Sequence, residues 1–210
     1  MNCLIAGASG LVGGELLRLL LRDGRVDTVT SVGRRAMAVR APKLAQVQAD
    51  LAALGDLPPA DVAFCALGTT IKKAGSKEAF YQVDHDYILN FAVAAELAGV
   101  KRFLLVSALG ADAGSRIFYN RVKGETERDV AQVGFESLHI FRPSLLLGKR
   151  KESRLTERLF VELYPLYRPL LLGPLAKSRP IQASQVAKAM FAKAFAPTIK
   201  SEVILNHQML

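Results

Sequence analysis

A short apolar run, Cys3 to Ala6, gives way to glycines at Gly7, Gly10 and Gly13 and then to leucines at helical spacing as far as Arg22. That order predicts a strand, a tight turn and a helix. The alternation then repeats. Val26 to Val32 is rich in β-branched residues, and Leu44–Gln48, Val62–Ala66, Arg102–Val106 and Phe135–Arg142 are short apolar runs, so these predict the second to sixth strands. Glu78 to Ala98 carries a helical pattern stopped by Gly99, its apolar positions being Phe80, Val83, Tyr87, Ile88, Phe91, Ala94, Ala95 and Leu97. Another helix is expected to open near Ser115, a last amphipathic one covers Ala183 to Phe195, and Val203 to Leu205 reads as an edge strand. Strands alternating with helices predict an α/β fold, a doubly wound parallel sheet. One stretch departs from the pattern. Leu155 to Leu175 is richly apolar but broken by Pro165, Pro169 and Pro174. It is expected to belong to a small lid, 145–182, on the substrate side; a dimer surface or contact with a membrane surface are the other readings.

Composition sharpens this picture only in part. At 210 residues, 50% of them apolar, one domain (1–210) with a sizeable core is expected. No run reaches the roughly 18 uninterrupted apolar residues of a membrane span, so no integral membrane segment is expected. The amino terminus lacks a basic stretch ahead of a long apolar one, so a cytoplasmic protein, monomer or homodimer, is the expectation. Cys3 and Cys65 fall in neighbouring strands and are expected as buried thiols lying near each other, without a disulfide. The net charge of +9 is scattered, among Arg34, Arg35 and Arg40, Lys72 and Lys73, and Lys149 to Lys151. Without a basic block interleaved with aromatic residues, nucleic acid is not an expected partner. A basic surface would instead help attract a polyanionic cofactor.

The chemistry begins at the first turn. Free N–H groups and the positive end of a helix dipole face whatever anion sits over Gly7-Ala8-Ser9-Gly10-Leu11-Val12-Gly13, and a dinucleotide pyrophosphate is the usual occupant. The second strand ends in Gly33-Arg34-Arg35 with no acidic residue. Arginine there accommodates a 2′-phosphate where an acid would hold a 2′-hydroxyl, which favours NADP over NAD; two solvated arginines on a loop are the alternative. Asp50 and Leu51 follow the third strand at a place suited to adenine, and Leu67-Gly68 follows the fourth, where a glycine suits close approach of a ligand. Asp84-His85-Asp86 looks like a metal cluster, but neighbouring helical residues fan out around the axis, so no metal site is expected. His139 and His207 are read as structural. Ser107 closes the fifth strand, and Tyr119 and Lys123, four apart, share one helical face and can point into the same crevice.

With these residues in hand the chain resembles an atypical, extended-type short-chain dehydrogenase/reductase, within it the Tat-interacting-protein-like oxidoreductases. The carrying stretches are the glycine turn, Cys65-Ala66-Leu67-Gly68-Thr69-Thr70, Val83-Asp84-His85-Asp86-Tyr87, Ser107 to Asp112, Tyr119-Asn120-Arg121-Val122-Lys123-Gly124-Glu125, and Phe141-Arg142-Pro143-Ser144. The resemblance implies a Rossmann-type sheet with NADP(H) in its crevice, held by Gly7, Ser9, Gly10, Leu11, Val12, Arg34, Arg35, Asp50, Leu51, Leu67, Gly68, Tyr119, Lys123, Pro143 and Ser144. It implies a catalytic Tyr119 as acid in reduction and base in oxidation. Lys123 would hold the nicotinamide ribose and favour the tyrosinate, and Ser107 would bond the substrate oxygen. The expected function is oxidation or reduction at a carbonyl or alcohol carbon of a small, apolar substrate. A redox-silent NADP(H)-binding regulator is the alternative. Two departures stand out: Asp84 replaces the asparagine usual in the fourth helix, and the chain leaves little room for a separate substrate domain.

Overall fold

The computed structural model describes residues 1–148 and 179–210. The stretch 155–175 and most of the expected lid lie outside the described residues. Seven parallel strands form one sheet: β1 (Asn2–Ala6), β2 (Thr28–Gly33), β3 (Leu44–Gln48), β4 (Val62–Cys65), β5 (Arg102–Val106), β6 (Ser137–Arg142) and β9 (Ser201–Leu205). Their order is β3-β2-β1-β4-β5-β6-β9, the doubly wound order with a seventh strand added at one edge. A second, two-stranded parallel sheet joins β7 (Leu146–Leu147) to β8 (Ile181–Gln182), on either side of residues 149–178.

Side chains alternate across the sheet and split the core into two layers. On one face Cys3, Ile5, Phe64, Leu104 and Phe141 meet Leu16 and Leu20 of α1 (Leu11–Arg22) and Val186 and Met190 of α6 (Ala183–Ala194). On the other, Leu4, Ala6, Cys65, Phe103, Leu105 and Ile140 meet Ile88 and Phe91 of α4 (Tyr87–Leu97) and Val130 of α5 (Phe118–Ala131). Each fully buried side chain of this size contributes about 1.5–3 kcal/mol. Cys3 and Cys65 therefore lie on opposite faces, and the register pairs Cys3 with Val62 and Cys65 with Ala6. The expectation that the thiols approach each other is corrected by that alternation. Burial pushes both thiols up to about 12.

The helical run over 77–97 is continuous but not uniform. It begins as α3 (Lys77–Tyr81), capped by Ser76, passes through a π turn at Gln82–Asp86 and continues as α4. A π turn adds one residue to the repeat and rotates the helix beyond it, and such turns are frequent at functional sites. Here it buries Asp84 and His85. Beyond it, Ile88, Phe91, Ala92 and Ala95 form the buried stripe of α4, so Leu97, expected on the apolar face, is 77% exposed and Ala92 is buried instead. A short helix, α2 (Ile71–Ala74), precedes it. The α5 helix opens at Phe118, not near Ser115. Asp112 Oδ1 accepts from the Gly114 N–H and Ser115 Oγ from the Ile117 N–H, so side chains capture the N–H groups that a longer helix would need free.

Candidate active site

Sequence spacing and packing meet first at the glycine turn. Gly7 has φ +84°, and a Cβ on it would lie 2.4 Å from the Ala66 carbonyl oxygen. The turn after β1 is thus pressed against the loop after β4, at the point where the strand order reverses, the usual ligand crevice of such sheets. A Cβ on Gly13 would lie 2.2 Å from the Gly7 carbonyl oxygen, so α1 can pack this closely only without a side chain there. Gly10 caps α1 and makes no side-chain cap bond. Ser9 and Gly10 are exposed and Val12 is buried. The first-turn N–H groups of α1 are therefore available to an anion.

Arg34 and Arg35 leave the end of β2 exposed. The Arg34 guanidinium lies 5.9 Å from the centre of the Tyr87 ring, a contact that sequence alone did not suggest. Asp50 Oδ1 accepts from the Ala52 N–H and closes the turn after β3. Leu51 is buried there, and its carbonyl accepts from Asn90 Nδ2 at 3.0 Å.

The other half of the crevice centres on a buried ion pair. Lys123 Nζ lies 2.7 Å from Asp84 Oδ1, both side chains almost fully buried. The Thr69 N–H donates to Asp84 Oδ2 at 2.8 Å, and Thr126 Oγ1 donates to the Asp84 carbonyl at 2.8 Å. Burial pulls the Lys123 ammonium down, but the Asp84 carboxylate, helped by Tyr119, outweighs it and holds the group above the usual lysine value. Gly68 lies against the pair: a Cβ on it would be 3.4 Å from Asp84 Oδ1 and 3.9 Å from Lys123 Nζ. Tyr119, one turn earlier on α5, is half-buried with its ring 5.5 Å from that of Phe80. Ser107 is 7% exposed, its N–H donating to the Phe141 carbonyl at 2.7 Å, while its Oγ meets no partner among the described residues. A buried hydroxyl left without a partner at a strand's carboxyl end fits a bound ligand oxygen.

Lys123, Asp84, Gly68 and Thr69 are thus brought into one contact, with Tyr119 and Cys65 close by, but Ser144 is engaged elsewhere. Its N–H donates to Asn206 Oδ1 at 2.9 Å and its hydroxyl to the Arg179 carbonyl. Pro143 is buried, and its carbonyl accepts from the Leu109 N–H. The three acidic-cluster residues diverge. Asp84 faces Lys123, while His85 bridges Asp86 and Asp129 at 2.9 Å each and stacks on Tyr81. His139 is fully buried between Ser137 and Glu202.

Known proteins resembling this chain identify its family. A family model described as NAD(P)H-binding matches residues 7–144. Among curated relatives, protein HTATIP2 of Rattus norvegicus is 41% identical over 157 residues, covering 71% of this chain and 64% of its own length. The mitochondrial protein fmp52 of Emericella nidulans is 38% identical over 168 residues, covering 74% of this chain and 71% of its own. Mitochondrial FMP52 of Debaryomyces hansenii is 32% identical over 209 residues, covering 96% and 91%. These names overturn the cytoplasmic expectation, since several relatives are called mitochondrial; a missing basic leader was too weak a basis for it. Among solved structures, MoeE5 in complex with UDP-glucose and NAD aligns with a TM-score of 0.73 at 18% identity, over 97% of this chain and 75% of that one. UDP-glucuronic acid 4-epimerase from Bacillus cereus aligns at 0.72 and 13%, over 98% and 77%. At that identity they show the fold alone. The chain belongs to the NAD(P)H-binding family and resembles HTATIP2.

Proposed function

We propose that the protein is an NADP-dependent oxidoreductase acting on a carbonyl or alcohol of a small apolar substrate. The observation that carries this reading is the unpartnered, buried Ser107 hydroxyl at the carboxyl edge of a sheet whose next helix presents Tyr119 and Lys123. The pyrophosphate would sit over Gly7 to Val12 on the α1 N-terminus, with Arg34 and Arg35 at the 2′-phosphate and Asp50 and Leu51 beside adenine. Leu67 and Gly68 would line the nicotinamide end through their backbone, whereas Ser144 is held by Asn206 and Arg179 and Pro143 by Leu109. Bound NADPH supplies a hydride. Ser107 donates a hydrogen bond to the substrate oxygen as charge gathers on it. Tyr119 gives that oxygen a proton in reduction, and Lys123 orients the ribose. The names of the fungal relatives favour a mitochondrial location.

NADPH consumption against a panel of aldehydes and ketones tests this. Turnover lost at least about 100-fold in Tyr119→Phe is expected, since general acid catalysis contributes about 10²–10⁴. Equal turnover by that variant would remove Tyr119 from the chemistry. The second reading, a redox-silent NADP(H)-binding regulatory protein, draws on the Asp84 carboxylate that already occupies the Lys123 ammonium. It expects tight NADPH binding, no turnover with any carbonyl, and a protein partner whose affinity changes with cofactor.

A further inference from the structure

Strands β2 and β3 lie side by side, yet the chain joining them forms no helix: β2 ends at Gly33 and β3 begins at Leu44. An irregular connection must find partners for its backbone N–H and C=O groups outside a helix. Gln46, on β3, supplies several of them. Its Oε1 accepts from the Met37 N–H at 2.7 Å, and its Nε2 donates to the carbonyls of Met37 and Val39 at 3.2 Å each. The amide therefore holds Met37 at both backbone groups, as a neighbouring strand would. Apolar packing grips this loop at fewer points. Of residues 34–40 only Met37 is not exposed, and it packs against the core layer that contains α1.

The loop held in this way carries the two exposed arginines, Arg34 and Arg35, just ahead of Met37. The Arg34 guanidinium lies 5.9 Å from the centre of the Tyr87 ring. One end of the loop thus rests on α4, while Gln46 ties its middle to β3. An arginine on a wandering backbone must be ordered when an anion binds, and that ordering opposes binding. A backbone already pinned removes part of the opposition. NADH has a 2′-hydroxyl where NADPH has a phosphate, so it draws no bidentate, charge-assisted bond from these guanidinium groups. Any benefit of the pinned loop therefore falls on NADPH.

We propose that Gln46 is a specificity-determining residue for the cofactor: by pinning Met37 and Val39 it holds Arg34 and Arg35 where they meet the 2′-phosphate, and so favours NADPH over NADH. The inference rests on the NADP reading of those two arginines. Gln46 acts through them and is a positioning residue, since its three hydrogen bonds all go to the main chain of the loop.

Calorimetric titration of the full chain with NADPH and with NADH is the test. Gln46→Met keeps the length of the side chain and removes its hydrogen bonds. It should weaken NADPH binding about 3- to 10-fold, the effect of having to order one or two side chains on binding, and leave NADH binding unchanged. A merely structural role would weaken both cofactors alike, because they differ only at the 2′ position. Placed on a background of Arg34→Ala with Arg35→Ala, Gln46→Met should weaken NADPH no further, since residues that act through one another are not additive. Unchanged NADPH affinity in Gln46→Met, an equal loss for NADH, or a full further loss on the arginine-free background would each overturn the proposal. The Met37 amide gives a reading that needs no variant. Hydrogen exchange of the unsubstituted chain without cofactor should find it protected by Gln46 within an otherwise exposed loop. Free exchange there would overturn the proposal even if Gln46→Met did not fold. An unsubstituted chain that binds NADPH no more tightly than NADH would remove the NADP reading and this inference with it. A preference kept in full by Gln46→Met would remove the inference alone.

Discussion

Gly13 sits so close beneath Gly7 that a Cβ at residue 13 would meet the Gly7 carbonyl oxygen at 2.2 Å. Neither partner is a flexible side chain, so Gly13→Ala must displace α1 or the turn. A cost of about 1–3 kcal/mol is expected, in the range for overpacking, together with weaker NADPH binding because the α1 N-terminus moves. Gly14→Ala is the control. Its Cβ would lie 3.5 Å from the Ala8 carbonyl oxygen, an ordinary contact, and alanine is about 0.8–1.0 kcal/mol better than glycine inside a helix. Denaturant unfolding of the two variants should therefore move in opposite directions. Equal destabilisation would mean that the turn does not set the packing distance.

The Arg34 guanidinium over the Tyr87 ring bears on cofactor choice. Charge-assisted hydrogen bonds contribute about 1.5–3 kcal/mol, so Arg34→Ala or Arg35→Ala should weaken NADPH binding by about 10- to 100-fold while sparing NADH. Tyr87→Leu should weaken NADPH less, through the lost cation–π contact with the exposed Arg34, about 0.5–1 kcal/mol, and because Tyr87 is buried in the core it should also lower the stability of the fold. Calorimetric titration with both cofactors checks this. If NADH and NADPH weaken equally, the arginines are not reading the 2′-phosphate.

Most of the fold was legible because the sheet is parallel and buried on both faces. Arg102–Val106 stands as a strand with the boundaries its apolar run suggests, since buried parallel strands read as hydrophobic segments; Leu44–Gln48 also has the expected boundaries, although it is an edge strand of exposed and half-buried residues. At the candidate site the sequence put Tyr119 and Lys123 on one helical face but did not show the Asp84–Lys123 pair. Helical spacing puts Phe80, Asp84 and Ile88 in one stripe, and a carboxylate on an otherwise apolar stripe is a signal that the residue is paired inside the protein. What spacing cannot show is the π turn, which depends on packing against α5. Nor does it show that Asn206, far along the chain, holds Ser144. The start of α5 was misplaced because Asp112 and Ser115 hydrogen-bond locally, a competition that an apolar pattern does not register.

Asn206 itself supports a separate test. It is fully buried; Oδ1 accepts from the Ser144 N–H at 2.9 Å and Nδ2 donates to the Arg179 carbonyl at 2.8 Å. It therefore ties together the chain on both sides of residues 149–178. Asn206→Ala strips the half-buried Ser144 N–H and the Arg179 carbonyl of this partner and should cost about 1–3 kcal/mol. Asn206→Asp keeps the acceptor and loses the donor, so it should restore part of the loss. Thermal unfolding of the three chains orders them. A stable Asn206→Ala chain would show that the β7–β8 pairing and the Ser144 hydroxyl suffice to hold this junction.

Acid should weaken the fold through one imidazole. His139 is buried with Nε2 3.1 Å from Ser137 Oγ and Nδ1 3.2 Å from Glu202 Oε2. Burial holds the imidazole below its ordinary value of 6.5, and this outweighs the pull of Glu202 in the other direction. The unfolded chain therefore takes up a proton at this position before the folded one does. Where the unfolded state binds more protons, stability rises with pH. The contribution of His139 is thus fully present above about pH 6.5 and is lost as the pH falls through the lower value it has in the fold. Glu202 adds little slope of its own in that window: the Lys193 ammonium at 2.7 Å holds it below the usual glutamate value, so its contribution is lost only at lower pH and in the same direction. His139→Gln keeps a polar group at the site and cannot titrate. Its stability, measured by denaturant unfolding at intervals from about pH 7 down to about pH 5, should fall less steeply than that of the unsubstituted chain, by up to one proton in slope. Parallel curves over that range would mean that His139 titrates alike in both states and that its burial carries no acid sensitivity.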